Sequence, residues 1–299
     1  MPWYLLLPLS SAILYALASI FLKRGLRDGA TMEQSFHINN LAVALIFAPL
    51  LLLERDPVRW ELWRQPLLTT VSFFAGTWLT FAAMRSADVS LVTPLMGTKV
   101  VFVAIGIAIL AGQGPPPALW VAAILTAAGV FLMGFRDFRK TAAGHGIAIG
   151  AALLSAAVFG VCDVFVRLWS KNFGAMTFLA LSSMGVGVLS LLVWLAKGMR
   201  PLWPRAENAK PGVFAAAGAA IIGVQAVSMG LAVSYFDDAT GINVVYASRG
   251  LWSIALIGLA GPLLGNHERH TAGAAYRWRV CGSVLVTAAV VIAVLARKN

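Results

Sequence analysis

Residues 11–23 read SAILYALASIFLK, and residues 155–167 read SAAVFGVCDVFVR. At an offset of 144, Ser11 aligns with Ser155, Ala12 with Ala156, Tyr15 with Phe159, Phe21 with Phe165 and Lys23 with Arg167. A second match sits at an offset of 150. Asp88 precedes Lys99 as Asp238 precedes Arg249, and Phe102 and Trp252 follow in matching places. Apolar helices resemble one another by composition, so one match carries little weight. Two ordered matches that include charged positions indicate an internal duplication.

The chain around these segments is apolar throughout. Of 299 residues, 60% are hydrophobic and 12% charged, against about 25% charged in a soluble domain. This excludes a disordered chain, a collagen, a disulfide scaffold and an ordinary soluble enzyme. Charges, prolines and glycines divide the sequence into ten apolar runs: 3–22, 35–53, 66–84, 90–111, 117–134, 144–168, 174–196, 211–233, 239–264 and 278–296. Each is near the roughly 20 residues that a spanning helix needs. The runs are continuous instead of alternating, which argues against barrel strands. Pro66, Pro117 and Pro211 stand where helices start. The longest connections are 54–65, 197–210 and 265–277, leaving no room for a soluble domain. The first run lacks a basic leader and a small-residue cleavage site, so it is expected as a retained helix.

The expected fold is therefore an all-α integral membrane protein of ten transmembrane helices, arranged as two five-helix repeats, 1–143 and 144–299. Five crossings return the chain to the opposite side, so the second repeat enters inverted. Inverted repeats are typical of secondary transporters, with substrate bound near the midplane between them.

The net charge of +11, from 23 Lys+Arg and 12 Asp+Glu, fits basic loops that set topology better than it fits nucleic-acid binding. With the N-terminus inside, the inner side would hold Arg55, Arg59, Arg64, Arg167, Lys171, Arg297 and Lys298 and be the less basic one. Loop charge thus favours external termini.

Lys99 and Arg249 fall mid-run, where an ionised residue costs about 2.5–3.5 kcal/mol on insertion scales. As counterparts facing one cavity they form a site for a carboxylate or phosphate, with Arg249 suited to a bidentate contact. The alternative is structural pairing with Asp163, the one acid deep in a run, which also has Arg167 one turn away. Asp163 is in addition the candidate for proton coupling. Gln225 and Asn243 are candidate substrate ligands or cross-helix hydrogen bonders. Trp78, Tyr246 and Trp252 are candidate aromatic walls. His37, Asn39 and Asn40 open the second run and are expected at the interface, and Trp3, Tyr4, Trp60, Trp63, Trp120, Trp203 and Trp278 in interfacial belts. Pro94 and Pro262 are candidate helix breaks.

Gly144, Gly146 and Gly150 lack the strand and acid of a nucleotide fingerprint, so close helix packing is expected there. Cys162 and Cys281 lie in apolar runs without metal spacing. No catalytic constellation is evident, and neither a cofactor nor a bound metal is expected.

Ten runs as five plus five, basic residues in the fourth and ninth, and paired segments around Ala87-Asp88 and Asp238-Ala239 resemble the drug/metabolite transporter superfamily, and within it the EamA-type transporters. The resemblance covers essentially the whole chain. It departs where such families carry Gly-Glu after the fourth helix, for here stand Gly112-Gln113, and Gly265-Asn266 after the ninth. It implies alternating access, cytoplasmic termini, small-metabolite export or exchange, and residence in a bacterial inner membrane. The plastid sugar-phosphate exchangers of the superfamily bind phosphate with basic residues on their fourth and ninth helices, a position similar to that of Lys99 and Arg249. The implied substrate is anionic or zwitterionic, with protons as a possible coupling ion and a homodimer as a possible assembly. Two other readings are a membrane enzyme or lipid-handling protein, and a carrier of cationic or aromatic compounds in which Lys99 and Arg249 are structural.

Overall fold

The structure is a computed structural model that describes residues 2–86, 92, 95–112, 114–141, 144–199, 201–202, 211–260 and 274–296. Asp88, Pro94, Gln113, Trp203, Pro262, Gly265-Asn266, Arg297 and Lys298 lie outside the described residues.

The described residues are helical, with no strand among them. In chain order the helices are α1 (Leu6–Arg27), α2 (Met32–Phe47), α3 (Arg64–Ser86), α4 (Lys99–Leu110), α5 (Pro117–Thr141), α6 (Gly146–Phe173), α7 (Ala175–Ala196), α8 (Pro211–Tyr235), α9 (Ala239–Ala247), α10 (Arg249–Ala260) and α11 (Ala274–Leu295). Eight of the helical segments are long and apolar enough to cross a membrane, whereas Lys99–Leu110 is shorter. Large side chains such as Leu45, Ile109 and Ile147 point outward, as a lipid-facing surface requires.

Between helices, where lipid offers no hydrophobic drive, small residues and hydroxyls make the contacts. Along α1 and α8, Ser11 Oγ donates to the Gln225 carbonyl (3.1 Å) and Ser228 Oγ to that of Leu7 (3.2 Å). Thr70 Oγ1 donates to the Ser182 carbonyl (2.9 Å), joining α3 to α7. Ser155 Oγ donates to the Gly76 carbonyl (2.7 Å), joining α6 to α3. Gly129 of α5 and Gly282 of α11 bring backbone against backbone, so that a Cβ on either would collide with the other's carbonyl oxygen.

One end of the bundle is tied closely. Tyr4 stacks on Phe236 (4.6 Å between centroids) and donates its hydroxyl to Asp238 Oδ2 (2.9 Å). Asp238 Oδ1 in turn accepts from Gly241 N (3.0 Å) and caps α9. Glu54 Oε2 accepts from Thr177 N (3.0 Å), and Arg59 N donates to the Phe173 carbonyl (2.9 Å). At the other end Thr31 caps α2 in a capping box with Gln34, and Lys197 pairs with Glu33 at 2.8 Å. The chain thus starts α1 and ends α6 at the same end.

Several expectations are corrected. The fourth and ninth runs are interrupted, at Gly97-Thr98 and at Ser248. His37, Asn39 and Asn40 are buried in the bundle, and His37 Nδ1 lies 2.8 Å from Ser190 Oγ. A Cβ at Gly144, Gly146 or Gly150 would meet nothing within 4 Å, so these glycines are not a packing seam; Gly144 instead turns the chain at φ +86°. Tyr4, expected in an interfacial belt, is also tied into the bundle by its hydrogen bond to Asp238. Trp3, Trp60 and Trp63 are exposed, and so is Cys281, while Cys162 is buried.

Candidate functional site

Two helix breaks build the site. At the first, Thr98 N donates to the Leu95 carbonyl (3.1 Å), and the Thr98 carbonyl accepts from Val101 N (2.9 Å) and Phe102 N (3.4 Å). At the second, Ser248 N donates to the Val245 carbonyl (3.1 Å), and the Ser248 carbonyl accepts from Leu251 N (2.8 Å) and Trp252 N (3.2 Å). Every partner in the second set lies 150 residues after its counterpart in the first. Thr98 and Ser248 share nearly the same backbone angle, ψ −12° and −10°. Each break is a tight three-residue turn. The next residue, Lys99 or Arg249, is the first of a new helix.

Both cations line a central cavity with two lobes of about 220 and 270 Å³. The lobes share a wall of Tyr15, Phe81, Met84, Met96, Tyr246 and the cations themselves. Asn243, Ser19 and Lys23 line the first lobe; Asp163, Gln225, Asn39 and Phe159 line the second.

The cations keep different company. Lys99 Nζ lies 2.7 Å from Asp163 Oδ2, both side chains being 15% exposed. Asn243 Nδ2 donates to the same oxygen (2.7 Å) and to the Ala239 carbonyl (2.9 Å). The Phe159 ring is 6.0 Å from Nζ. Among the described residues, no carboxylate lies within ion-pair distance of Arg249. Its guanidinium carbon stands 4.6 Å from the Tyr15 ring centroid and 4.7 Å from that of Tyr246. The two rings form a corner, 6.1 Å apart at 79°.

Six of the residues singled out from sequence thus come together: Lys99, Asp163, Gln225, Asn243, Tyr246 and Arg249. Asp163 turns to Lys99 and not to Arg167. Trp78 and Trp252 do not line the cavity. Trp78 is 41% exposed and packs on Phe36 and under Lys197, while Trp252 packs against the core. Tyr15 is the member that sequence reading missed, although it stood in the quoted repeat opposite Phe159. Asn39 Oδ1 and Gln225 Oε1 are buried without a hydrogen-bond partner among the described residues.

Residues 1–135 match the EamA-like transporter family. The first half of the chain is EamA-like. The match covers less than half of the chain, and eight helical segments among the described residues are long and apolar enough to cross a membrane. The whole chain is similar in fold to a solved protein described only as a crystal structure of a protein. The TM-score is 0.74 at 16% identity, over 99% of each chain. No curated protein matches the sequence.

Proposed function

We propose that this EamA-like chain is a secondary transporter of a small anionic or zwitterionic metabolite. It would work by alternating access between two inverted repeats, 1–143 and 144–299, in a bacterial cytoplasmic membrane. The observation that carries the reading is a pair of cations at matching helix breaks on one cavity, one of them without a carboxylate partner among the described residues. Ionisable groups inside a membrane mark substrate pathways by default. Helix N-termini at both cations add positive potential. The repeats are supported by the hydrogen bonds matched at an offset of 150, and their inversion by α1 starting where α6 ends. Asn39 and Gln225 offer acceptors for N–H groups of a zwitterion. Lys99, Arg249, Gln225, Asn243 and Tyr246 are the binding residues of this reading, with Asp163 as ion-pair partner and the candidate for proton coupling.

The test is uptake or exchange of a metabolite panel in proteoliposomes. Flux is expected with wild-type protein and is lost in Arg249→Ala that remains monodisperse in detergent. Unchanged flux in both Lys99→Ala and Arg249→Ala removes the site. Absence of proton movement during substrate flux removes Asp163 as a proton carrier.

A second reading has one observation in its favour. Phe81, Met84, Met96 and Phe159 make much of the cavity wall apolar, as a carrier of aromatic or cationic compounds would need, with Lys99 neutralised by Asp163. Competition of flux by aromatic cations, and not by anions, would select it.

A further inference from the structure

We infer that the cavity is built for a singly charged anionic group, with Arg249 as its anchor and Asp163 as the residue that sets the valence. The inference rests on the transporter reading above and refines its substrate class. It follows from the charges in place. Lys99 and Asp163 cancel at 2.7 Å, and Asn243 holds the same carboxylate oxygen. Arg249 stands against the rings of Tyr15 and Tyr246 and hydrogen-bonds the Tyr246 side chain, with no carboxylate within ion-pair distance among the described residues. One positive charge therefore remains on the wall shared by both lobes. Lys23 lines only the first lobe and is itself engaged.

The duplication explains how this valence arose within the fold. At the offset of 144 that aligns Ser11 with Ser155, the counterpart of Asp163 is Ser19. Ser19 lines the lobe beside Arg249, in the place where an acid would cancel the second cation as Asp163 cancels the first. The two halves thus present the same break and the same cation but only one acid. A group with a single negative charge is neutralised by Arg249. A second charge on it would meet apolar walls and the Asp163 carboxylate, an interaction that low-dielectric surroundings make strong.

The experiment compares matched ligands that differ by one charge, read by thermal stabilisation of the full chain in detergent. Methyl phenyl phosphate is the monoanion. Phenyl phosphate is the dianion, fully ionised at about pH 8 because its second pKa is about 6. Wild-type protein is expected to bind the monoanion at least about tenfold more tightly, since a bound ligand raises apparent stability by mass action. Asp163→Asn keeps a hydrogen-bond acceptor beside Lys99 but frees its charge, and is expected to erase or reverse the preference. The double variant Lys99→Gln/Asp163→Asn restores one net charge and is expected to regain it.

A wild-type preference for the dianion overturns the inference, as does a ratio unmoved in Asp163→Asn. In both cases loss of binding in Arg249→Gln leaves the anion-transporter reading standing. If neither ligand stabilises wild-type protein, the anion site itself is wrong and the inference falls with it. Should Asp163→Asn not fold, the wild-type ratio and the double variant decide.

Discussion

Lys99 and Arg249 begin helices at equivalent breaks, yet one is neutralised and the other is left charged between aromatic rings. Around Lys99 the duplicated positions hold Phe159, Met96 and Asp163. Around Arg249 they hold Tyr15, Tyr246 and Ser19. The backbone of the break is common to both halves, whereas the electrostatics belong to side chains that differ. A lysine ammonium is a compact charge that suits a single carboxylate. A guanidinium is planar and weakly hydrated, so it tolerates burial against ring faces. The geometry of the breaks and the charge they present are therefore separable properties.

The largest effect expected from disturbing this contrast is at Asp163. Asp163→Ala strands the Lys99 ammonium and should cost about 3–5 kcal/mol, seen as a lowered melting temperature in detergent. Replacing both partners, as Lys99→Met/Asp163→Leu, should recover most of that loss. Failure to recover would mean that the pair does more than cancel itself.

At Arg249 the expected loss is smaller. Arg249→Lys keeps the charge but gives up the flat contact with two rings, a loss of about 2 kcal/mol for a desolvated cation–π site. The same substitution in reverse, Lys99→Arg, should gain nothing comparable, because Phe159 is more distant. Equal melting temperatures for Arg249→Lys and wild type would count against ring contacts holding the cation.

Ser19→Asp makes the halves alike in charge. The variant should fold and lose anion-induced stabilisation by roughly tenfold or more, which corresponds to about 1.4 kcal/mol. Undiminished stabilisation would separate Ser19 from Arg249 functionally.

The finest contrast is in the breaks. Thr98 Oγ1 donates to the Leu95 carbonyl at 2.6 Å, whereas Ser248 Oγ is buried without a hydrogen-bond partner among the described residues. Thr98→Ala should cost about 1 kcal/mol, and Ser248→Ala should be neutral or stabilising, because an unmade buried hydrogen bond is a cost already present. Equal losses at the two positions would show that the hydroxyls act alike.

The sequence carried much of this. Continuous apolar runs mark spanning segments, and Lys99, Asp163 and Arg249 stood out because ionised groups are costly there. The match that suggests a duplication, Ser11 with Ser155, was visible as well. A break in the fourth and in the ninth run was expected at Pro94 and Pro262, but not the turns at Thr98 and Ser248, because hydropathy averaged over a run is insensitive to one turn. Tyr15 looked like any membrane aromatic, since only the fold brings α1 beside α10. Trp78 and Trp252 had the right chemistry, but their helix faces turn away from the cavity, and run-level reading does not resolve which face a residue occupies. Gly144, Gly146 and Gly150 show the converse, for small residues at helical spacing pack only if a neighbour is there. Asn39 and Asn40, near the start of a run, gave no sign that α2 would be covered at that level.

The crossing of α5 and α11 at Gly129 and Gly282 has a consequence for watching this molecule work. The two backbones meet directly there, with the Val286 and Met133 side chains packed beside the contact, so neither glycine has a side chain of its own to absorb a shift of the helices. Under the alternating access proposed above, spin labels placed across the crossing should report one unchanging distance while labels spanning the cavity report two. The protein thus carries its own zero mark, against which any displacement of Lys99 relative to Arg249 could be measured.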